Sequence, residues 1–321
     1  MAGKGMRCFV IMVIVVWGLA APGCDSPGRN VFRRGVMGTR ATIVVYSDDT
    51  GHVRRSVAAA FYRIDEIEKA ITNFRPDNEL AMLHASAGRG HISVGKDLMG
   101  ILIAAGEISQ LTAGAFDVTV GPLTTLWREA MREGRAPSPR AIAKAQAEVA
   151  GWETVLLEPQ TSRVTLTRLG TRLDLGGIGK GYAADEAMRV LARNGLVQVV
   201  VEIGGDMAIG APPPGELGWP IGIDDGKGPV GMGIYSQCGL ATSGDASQHL
   251  VVDHIRLSHI IDPAQERPVA DGFSVTVQAP TAMMADALAT ACHVGTEEIV
   301  NLIRDLEGVG VRVHPARATA K

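Results

Sequence analysis

The sequence predicts an α+β protein with a mostly antiparallel sheet flanked by helices. Three observations lead there. The first part of the chain is dominated by segments whose apolar residues recur at helical spacing. The second part is dominated by short apolar runs punctuated by Gly and Pro. Between them "VQVVVE" runs into "IGGDMAIG", whose Gly-Gly-Asp between apolar stretches marks a hairpin and an antiparallel partner. With 321 residues, 46% hydrophobic and 20% charged, the chain is long enough for one large domain or two small ones and has no disordered bias. A net charge of −3 without a Lys/Arg cluster argues against nucleic acid as a partner.

The N-terminus reads as an export signal over residues 1–23. Lys4 and Arg7 precede an apolar run from Phe9 to about Ala21, which is shorter than the ~20 residues a spanning helix needs and ends in small residues. Cys24 follows directly, which suggests lipoprotein processing with Cys24 as the lipidated first residue; the alternative is ordinary secretion with Cys24 lost or idle. Ala21 and Pro22 depart from the usual pattern of such sites, while Asp25 resembles the signal that retains some lipoproteins at the inner membrane. The protein is therefore expected to be exported and lipid-anchored on the periplasmic face of that membrane, with a linker over 24–31 and a single domain over 32–321. Cys8 leaves with the signal. Cys238 and Cys292 remain, either as a disulfide or as two buried thiols, and the sequence does not choose between them.

Along the domain, "RGVMGTRATIVVYS" reads as a strand and "HVRRSVAAAFYRIDEIEKAI" as a helix. "TNFRPDNELAMLHAS" is loop-like around Pro76 and then helical, and "KDLMGILIAAGEISQLTAG" is a further helix. In "AFDVTVGPLTTLWREA" the Gly and Pro suggest a turn after a buried segment, and a polar stretch follows. Strands then dominate, "TVLLEP", "RVTLTR", "TRLDL", "VQVVVEIGG", "DMAIGA", "PIGID", "GPVGMGIYS", "GLATSG", "HLVVD", "LSHIIDP" and "FSVTVQAP", interrupted by a helix over 183–194. A helix pair through "MMADALATACHVG" and "EEIVNLIRDLEG" closes the chain.

Chemistry concentrates in a few stretches. "DLGGIGKGYAAD", from Asp174 to Asp185, is a Gly-rich turn into a helix, a geometry that offers backbone N–H groups and a positive helix end to an anion. It is not a Walker loop, because Gly179-Lys180 is followed by Gly181 and Asp174 occupies the place of the first glycine. Gly179, Gly181 and Ala184 do satisfy the dinucleotide pattern, with Glu202 at the end of the next strand, so a Rossmann turn and a plain structural turn both compete. Asp286 and Thr290 lie four apart on one helix face, as oxygen ligands of a hard cation do, although an Asp near a helix start more commonly serves the dipole. His259, in a strand-like run beside Asp262, is either a satisfied core residue or a proton acceptor near neutral pH. Thr242-Ser243-Gly244-Asp245 is a polar turn or a ligand contact.

These stretches in order, "MGT", "FRPDNEL", "GAFDVTVGPL", "LDLGGIGKGYAAD", "EIGGD", "ATSGD", "HIIDP" and "ADALATA", resemble the ApbE family of FAD:protein FMN transferases over nearly the whole mature chain. The resemblance implies an ApbE-like flavin transferase fold that binds FAD and Mg2+ and transfers FMN to a Thr or Ser hydroxyl of a target protein, releasing AMP. It implies metal ligation by Asp286, Thr290 and the backbone carbonyl of Gly177. FAD contacts carry over to Met37, Phe74, Ala115, Phe116, Asp117, Asp174, Lys180 and Ile260, with Lys180 facing the phosphates, and His259 matches the histidine expected to deprotonate the incoming hydroxyl. The implied partners are flavin-accepting subunits of membrane redox complexes or other periplasmic flavoproteins. Hydrolysis of FAD to FMN and AMP, a non-catalytic flavin carrier and a Rossmann dehydrogenase are the competing readings. Three departures lie near the flavin rim: "DPAQER" where "DPRTG" is common, Asn78 for Ser, and His84 for Asn.

Overall fold

The structure, a computed structural model, describes residues 28–224, 228–244, 249–252, 255–270 and 273–315. The export segment, Cys24, Asp25 and Asp245 lie outside these residues. In chain order the elements are β1 (Arg29–Val36), β2 (Thr39–Tyr46), α1 (Thr50–Ile71), α2 (Glu79–Ser86), β3 (His91–Ser93), α3 (Lys96–Leu111), α4 (Gly121–Glu133), α5 (Pro139–Glu148), β4 (Val155–Glu158), β5 (Arg163–Leu166) and α6 (Gly179–Arg193). There follow β6 (Val199–Ile203), β7 (Asp206–Ile209), β8 (Trp219–Asp224), β9 (Pro229–Tyr235), β10 (Cys238–Gly244), β11 (His249–Val252), β12 (Ile255–Ser258), β13 (Ile261–Asp262), β14 (Arg267–Pro268), β15 (Ser274–Ala279), α7 (Ala282–Val294), α8 (Glu297–Arg304) and β16 (Gly310–His314).

The described residues build a central sheet in the order β1-β2-β6-β7-β10-β15-β16, and every neighbouring pair in it is antiparallel. The predicted α+β class with an antiparallel sheet is therefore what the chain adopts. The Gly204-Gly205 turn, with φ of 60° and 102°, joins β6 to β7 as the sequence signals. Glu202 sits within this meander, opposite Thr42 on one side and Met207 on the other, which removes the dinucleotide alternative.

Period-two alternation sends side chains to both faces of the sheet. Ala41, Ile43 and Val45, with Val199, Val201 and Ile203, enter the main core beneath α1, α6 and α7. Val44, Val200, Met207, Ile209 and Leu240 point to the other face, where the β8–β9 hairpin covers them with Trp219 and Ile221. In α1 the buried Val53, Val57, Ala60, Ile64, Ile67 and Ile71 form the helical stripe; each large aliphatic there contributes about 2 kcal/mol on burial. A smaller cluster joins Val120, Leu123, Trp127 and Ala130 of the α4 region to Ala145 of α5 and to Leu250 and Ile261 of the β11–β14 segment.

Several expectations need correction. "RGVMGTRATIVVYS" is a hairpin, because Met37 (φ 49°) and Gly38 (φ 71°) form a two-residue turn between β1 and β2. β1 also begins at Arg29, inside the segment expected as linker. Gly121-Pro122 starts α4 instead of ending a segment, since Pro in the first helical turn lacks only an N–H that has no intrahelical partner. The polar stretch after it contains α5, capped by Ser138. "TRLDL" is no strand: the Leu173 amide donates to His84 and the Asp174 amide to the Val118 carbonyl. α6 starts at Gly179, four residues earlier than expected, so Lys180 and Gly181 belong to its first turn. Thr242 to Gly244 continue β10, as the strand reading of "GLATSG" expects and against the polar-turn reading of the same residues. The short β3 and β16 escaped notice, having few residues and largely exposed or partly exposed faces. Cys238 and Cys292 are free, buried thiols; burial pushes Cys292 up to about 12.

Gly239 of β10 runs so close to the start of α7 that a Cβ would stand 2.2 Å from the Thr281 carbonyl. Both partners are backbone, so neither can rotate away. Gly239→Ala is expected to lower unfolding stability by about 3 kcal/mol in a denaturant titration.

Candidate active site

The Gly-rich stretch is the hub of the site. Asp174, 8% exposed, accepts hydrogen bonds from Gly176 N–H (3.0 Å) and Asn73 Nδ2 (3.4 Å) and pairs with Arg128 Nη2 at 2.8 Å. Burial works to raise its carboxyl, but the Arg128 guanidinium together with the Thr124 hydroxyl and the Gly176 amide holds it below the usual carboxylate range. Gly177 comes next. A Cβ there would stand 3.0 Å from Thr290 Oγ1 and 3.4 Å from the Phe116 ring, so the loop backbone lies directly against both. Gly179 lies against Ile71, with the Met37 methyl 3.9 Å from its Cβ position.

Lys180 closes the hub. Its Nζ is 2.5 Å from Asp206 Oδ2 and 3.4 Å from Asp286 Oδ1. The Gly181 amide donates to Asp286 Oδ2 at 3.1 Å, and Thr290 Oγ1 donates back to the Asp286 carbonyl at 3.2 Å. Asp206 and Asp286 are 3% and 5% exposed. Burial first, and then the nearby Asp286 carboxylate, raise Asp206 well above the usual range, against the pull of Lys180; the two carboxylates in turn raise Lys180 despite its burial. Lys180 thus bridges two carboxylates as well as facing the loop.

Among the described residues no three His, Cys, Asp or Glu side chains gather at one point. A cation held here would depend on mixed oxygens: the Asp286 carboxylate, the Thr290 hydroxyl and the backbone at Gly177. That set suits a hard divalent ion.

The remaining expected residues surround this hub at different distances. Phe116 is buried, its amide bonded to Thr112 Oγ1, while Ala115 is half-buried and Asp117 caps the turn into α4 by accepting from Thr119 N–H at 2.8 Å. Burial pushes the Asp117 carboxyl up. Met37 holds its turn through its amide on Glu68 Oε2. Phe74, 85% exposed, lines a cleft of about 700 Å³ together with Arg75, His84, Lys144 and Arg172. Asn78, replacing Ser, caps α2 through Ala81 N–H and donates to the Thr72 carbonyl, so it fixes the loop that carries Phe74.

His259 and Ile260 come from a separate layer. His259 occupies the bend between β12 and β13 instead of a strand, and Ile260 is buried with its amide on Ser258 Oγ. The Asp262 oxygens accept from Ala264 N–H, Gln265 N–H and Gln265 Nε2. This is how "DPAQER" closes its turn. The layer reaches the hub through α4, where Ile261 packs on Leu123 and Trp127 while Arg128 grips Asp174.

Sequence reasoning passed over Asp206, Arg128 and Asp185. "EIGGD" carried a signal for Asp206, an acid placed just inside a buried strand; Arg128 had none.

A family model described as the ApbE family matches residues 37–313. The chain belongs to the ApbE family. It is 30% identical over 320 residues to an FAD:protein FMN transferase of Treponema pallidum, covering 93% of this chain and 88% of that one, and 29% identical over 289 residues to one of Vibrio cholerae, covering 87% and 86%. The crystal structure of an ApbE protein from Thermotoga maritima superposes with a TM-score of 0.79 at 29% identity, over 90% of this chain and 97% of that one. The flavin transferase ApbE from Vibrio cholerae gives 0.78 at 25% identity, over 89% and 93%.

His84 offers a test of the cleft. Its Nε2 accepts from the Leu173 amide at 2.9 Å, and burial, aided by Arg172, lowers its pKa to about 4. The unfolded chain takes up this proton near pH 6.5, so the contribution to stability is complete above that pH and is lost as pH falls towards 4. His84→Asn keeps an acceptor without the titration. Thermal unfolding across pH 4 to 7 should therefore show a shallower acid decline for His84→Asn, the two proteins differing by of the order of 3 kcal/mol at the acid end.

Proposed function

We propose that the protein transfers FMN from FAD to a Thr or Ser hydroxyl of a target flavoprotein and releases AMP. The observation that carries this reading is the convergence of Gly177, Lys180, Asp286 and Thr290 on one Gly-rich loop, in a chain whose curated relatives are called FAD:protein FMN transferases.

The acceptor oxygen bonds to the flavin-side phosphorus of FAD as the phosphoanhydride bond breaks, and AMP departs with the bridging oxygen. The hydroxyl proton goes to His259, whose imidazole is suited to accept it near neutral pH. The proposed residues for Mg2+ are Asp286, Thr290 and the Gly177 carbonyl, and the oxygen-only donor set fits it. Bound there, Mg2+ supplies charge neutralisation at the pyrophosphate. The chain's own residues do the positioning. Arg128 and Asp174 fix the entry to the loop, Lys180 keeps Asp206 and Asp286 together, and Met37 and Phe116 give the loop an apolar flank for the flavin. Phe74, Ala115, Asp117 and Ile260 complete the proposed flavin contacts.

In the same reading the protein is exported, cleaved after residue 23 and lipid-anchored through Cys24 on the periplasmic face of the inner membrane. Its targets there are flavin-accepting subunits of membrane redox complexes or other periplasmic flavoproteins. No helix among the described residues is long and apolar enough to cross a membrane, and a lipid anchor does not need one.

Intact-mass spectrometry of an acceptor domain incubated with the mature protein, FAD and MgCl2 should show an FMN-sized gain. His259→Ala, Asp286→Ala and EDTA should each abolish it. AMP release without acceptor would shift the reading to a hydrolase, and bound FAD with neither product to a flavin carrier.

A further inference from the structure

The two halves of the proposed site arrive on different elements. Gly177 and Lys180 come from the Gly-rich loop and the first turn of α6, while Asp286 and Thr290 come from α7. Something must set their spacing. Asp185, one and a half turns along α6 and 9% exposed, aims its carboxylate at the start of α7: Oδ1 accepts from the Ala282 amide and Oδ2 from the Met283 amide, both at 2.9 Å. With the Thr281 hydroxyl accepting from Met284 N–H, the first amides of α7 are all engaged. Charge-assisted bonds to a helix N-terminus are among the stronger and more directional polar contacts.

The contact also has no slack. A Cβ on Gly181 would stand 2.3 Å from the Ala282 carbonyl, so α6 and α7 touch backbone to backbone at the turn that Asp185 grips. From Ala282 to Asp286 is one helical turn, about 6 Å of rigid helix. A displacement at Ala282 is therefore passed on to Asp286 and Thr290. Glu186, the next residue, faces elsewhere and pairs with Arg63 and Arg189.

We infer that Asp185 is a positioning residue: by holding the first turn of α7 to α6 it sets the distance between the loop-borne and helix-borne oxygens of the proposed cation site. The inference rests on that reading of the site.

The test is titration of the full mature protein with MnCl2 as the Mg2+ surrogate, free Mn2+ being read by electron paramagnetic resonance and thermal unfolding recorded in parallel. Outer-shell groups of this kind typically affect metal affinity by about 10-fold to 100-fold, so Asp185→Asn should weaken Mn2+ binding by at least about 10-fold. Asp185→Ser carries the same expectation if the Asn variant does not fold. Glu186→Gln, which loses its ion pairs to Arg63 and Arg189, should lower the unfolding temperature yet keep Mn2+ affinity within about twofold of the parent, because it lies outside the chain of contacts to the ligands. Parent-like affinity in the Asp185 variants, or an equal loss in Glu186→Gln, overturns the inference while leaving the site reading intact. A parent protein that binds no Mn2+ overturns the site reading and this inference with it.

Discussion

The close approach of α6 to α7 is the constraint on which the rest of the site depends. At Gly181 the two helices meet with no room for a methyl group, and the Gly181 amide is thereby brought to Asp286. This explains why a stretch with so many glycines is read poorly as a phosphate loop of either familiar kind. Gly181 is needed where helix α7 presses on the backbone at the Ala282 carbonyl, and Gly177 lies in close contact with the Thr290 hydroxyl. The same contact puts an amide, a hydroxyl and a carboxylate around one point.

The sheet supplies the platform. Antiparallel pairing of β7, β10 and β15 places Asp206, at the head of β7, under the Lys180 ammonium, while β10 and β15 support α7 from below. Both faces are covered, so the strands read as nearly continuous apolar runs, and the hairpin glycines become the main marks of direction. The α4–α5 layer and the β11–β14 segment sit apart on their own small core and carry His259.

Charge is distributed with equal economy. Asp206 and Asp286 share Lys180, Asp174 is matched by Arg128, and on the far side of α6 Arg63 joins Asp97 and Glu186, with Tyr182 bonded to Asp97. Buried carboxylates tolerate such positions only when paired and hydrogen-bonded. The far-side cluster ties α6 to α1 and α3. Asp185 completes the arrangement by tying α6 forward to α7.

By itself the sequence determined the class of the fold, most helices, the β6–β7 hairpin and the chemistry-bearing stretches, because these rest on local periodicity, turn residues and ordered motifs. It misplaced elements where local signals are double-edged. Met37-Gly38 looked like the interior of one strand, and Gly121-Pro122 looked like a stop although Pro equally favours the first turn of a helix. "TRLDL" alternates as a strand does, yet its amides find the His84 ring and the Val118 carbonyl first. Only the tertiary structure decided that Cys238 and Cys292 stay apart as thiols, that Arg128 answers Asp174, that Lys180 lies between Asp206 and Asp286, and that Asp185 caps α7. Each of these joins residues far apart in the chain. Pairings of that range are set by how helices and strands pack, and no local pattern of residues encodes them.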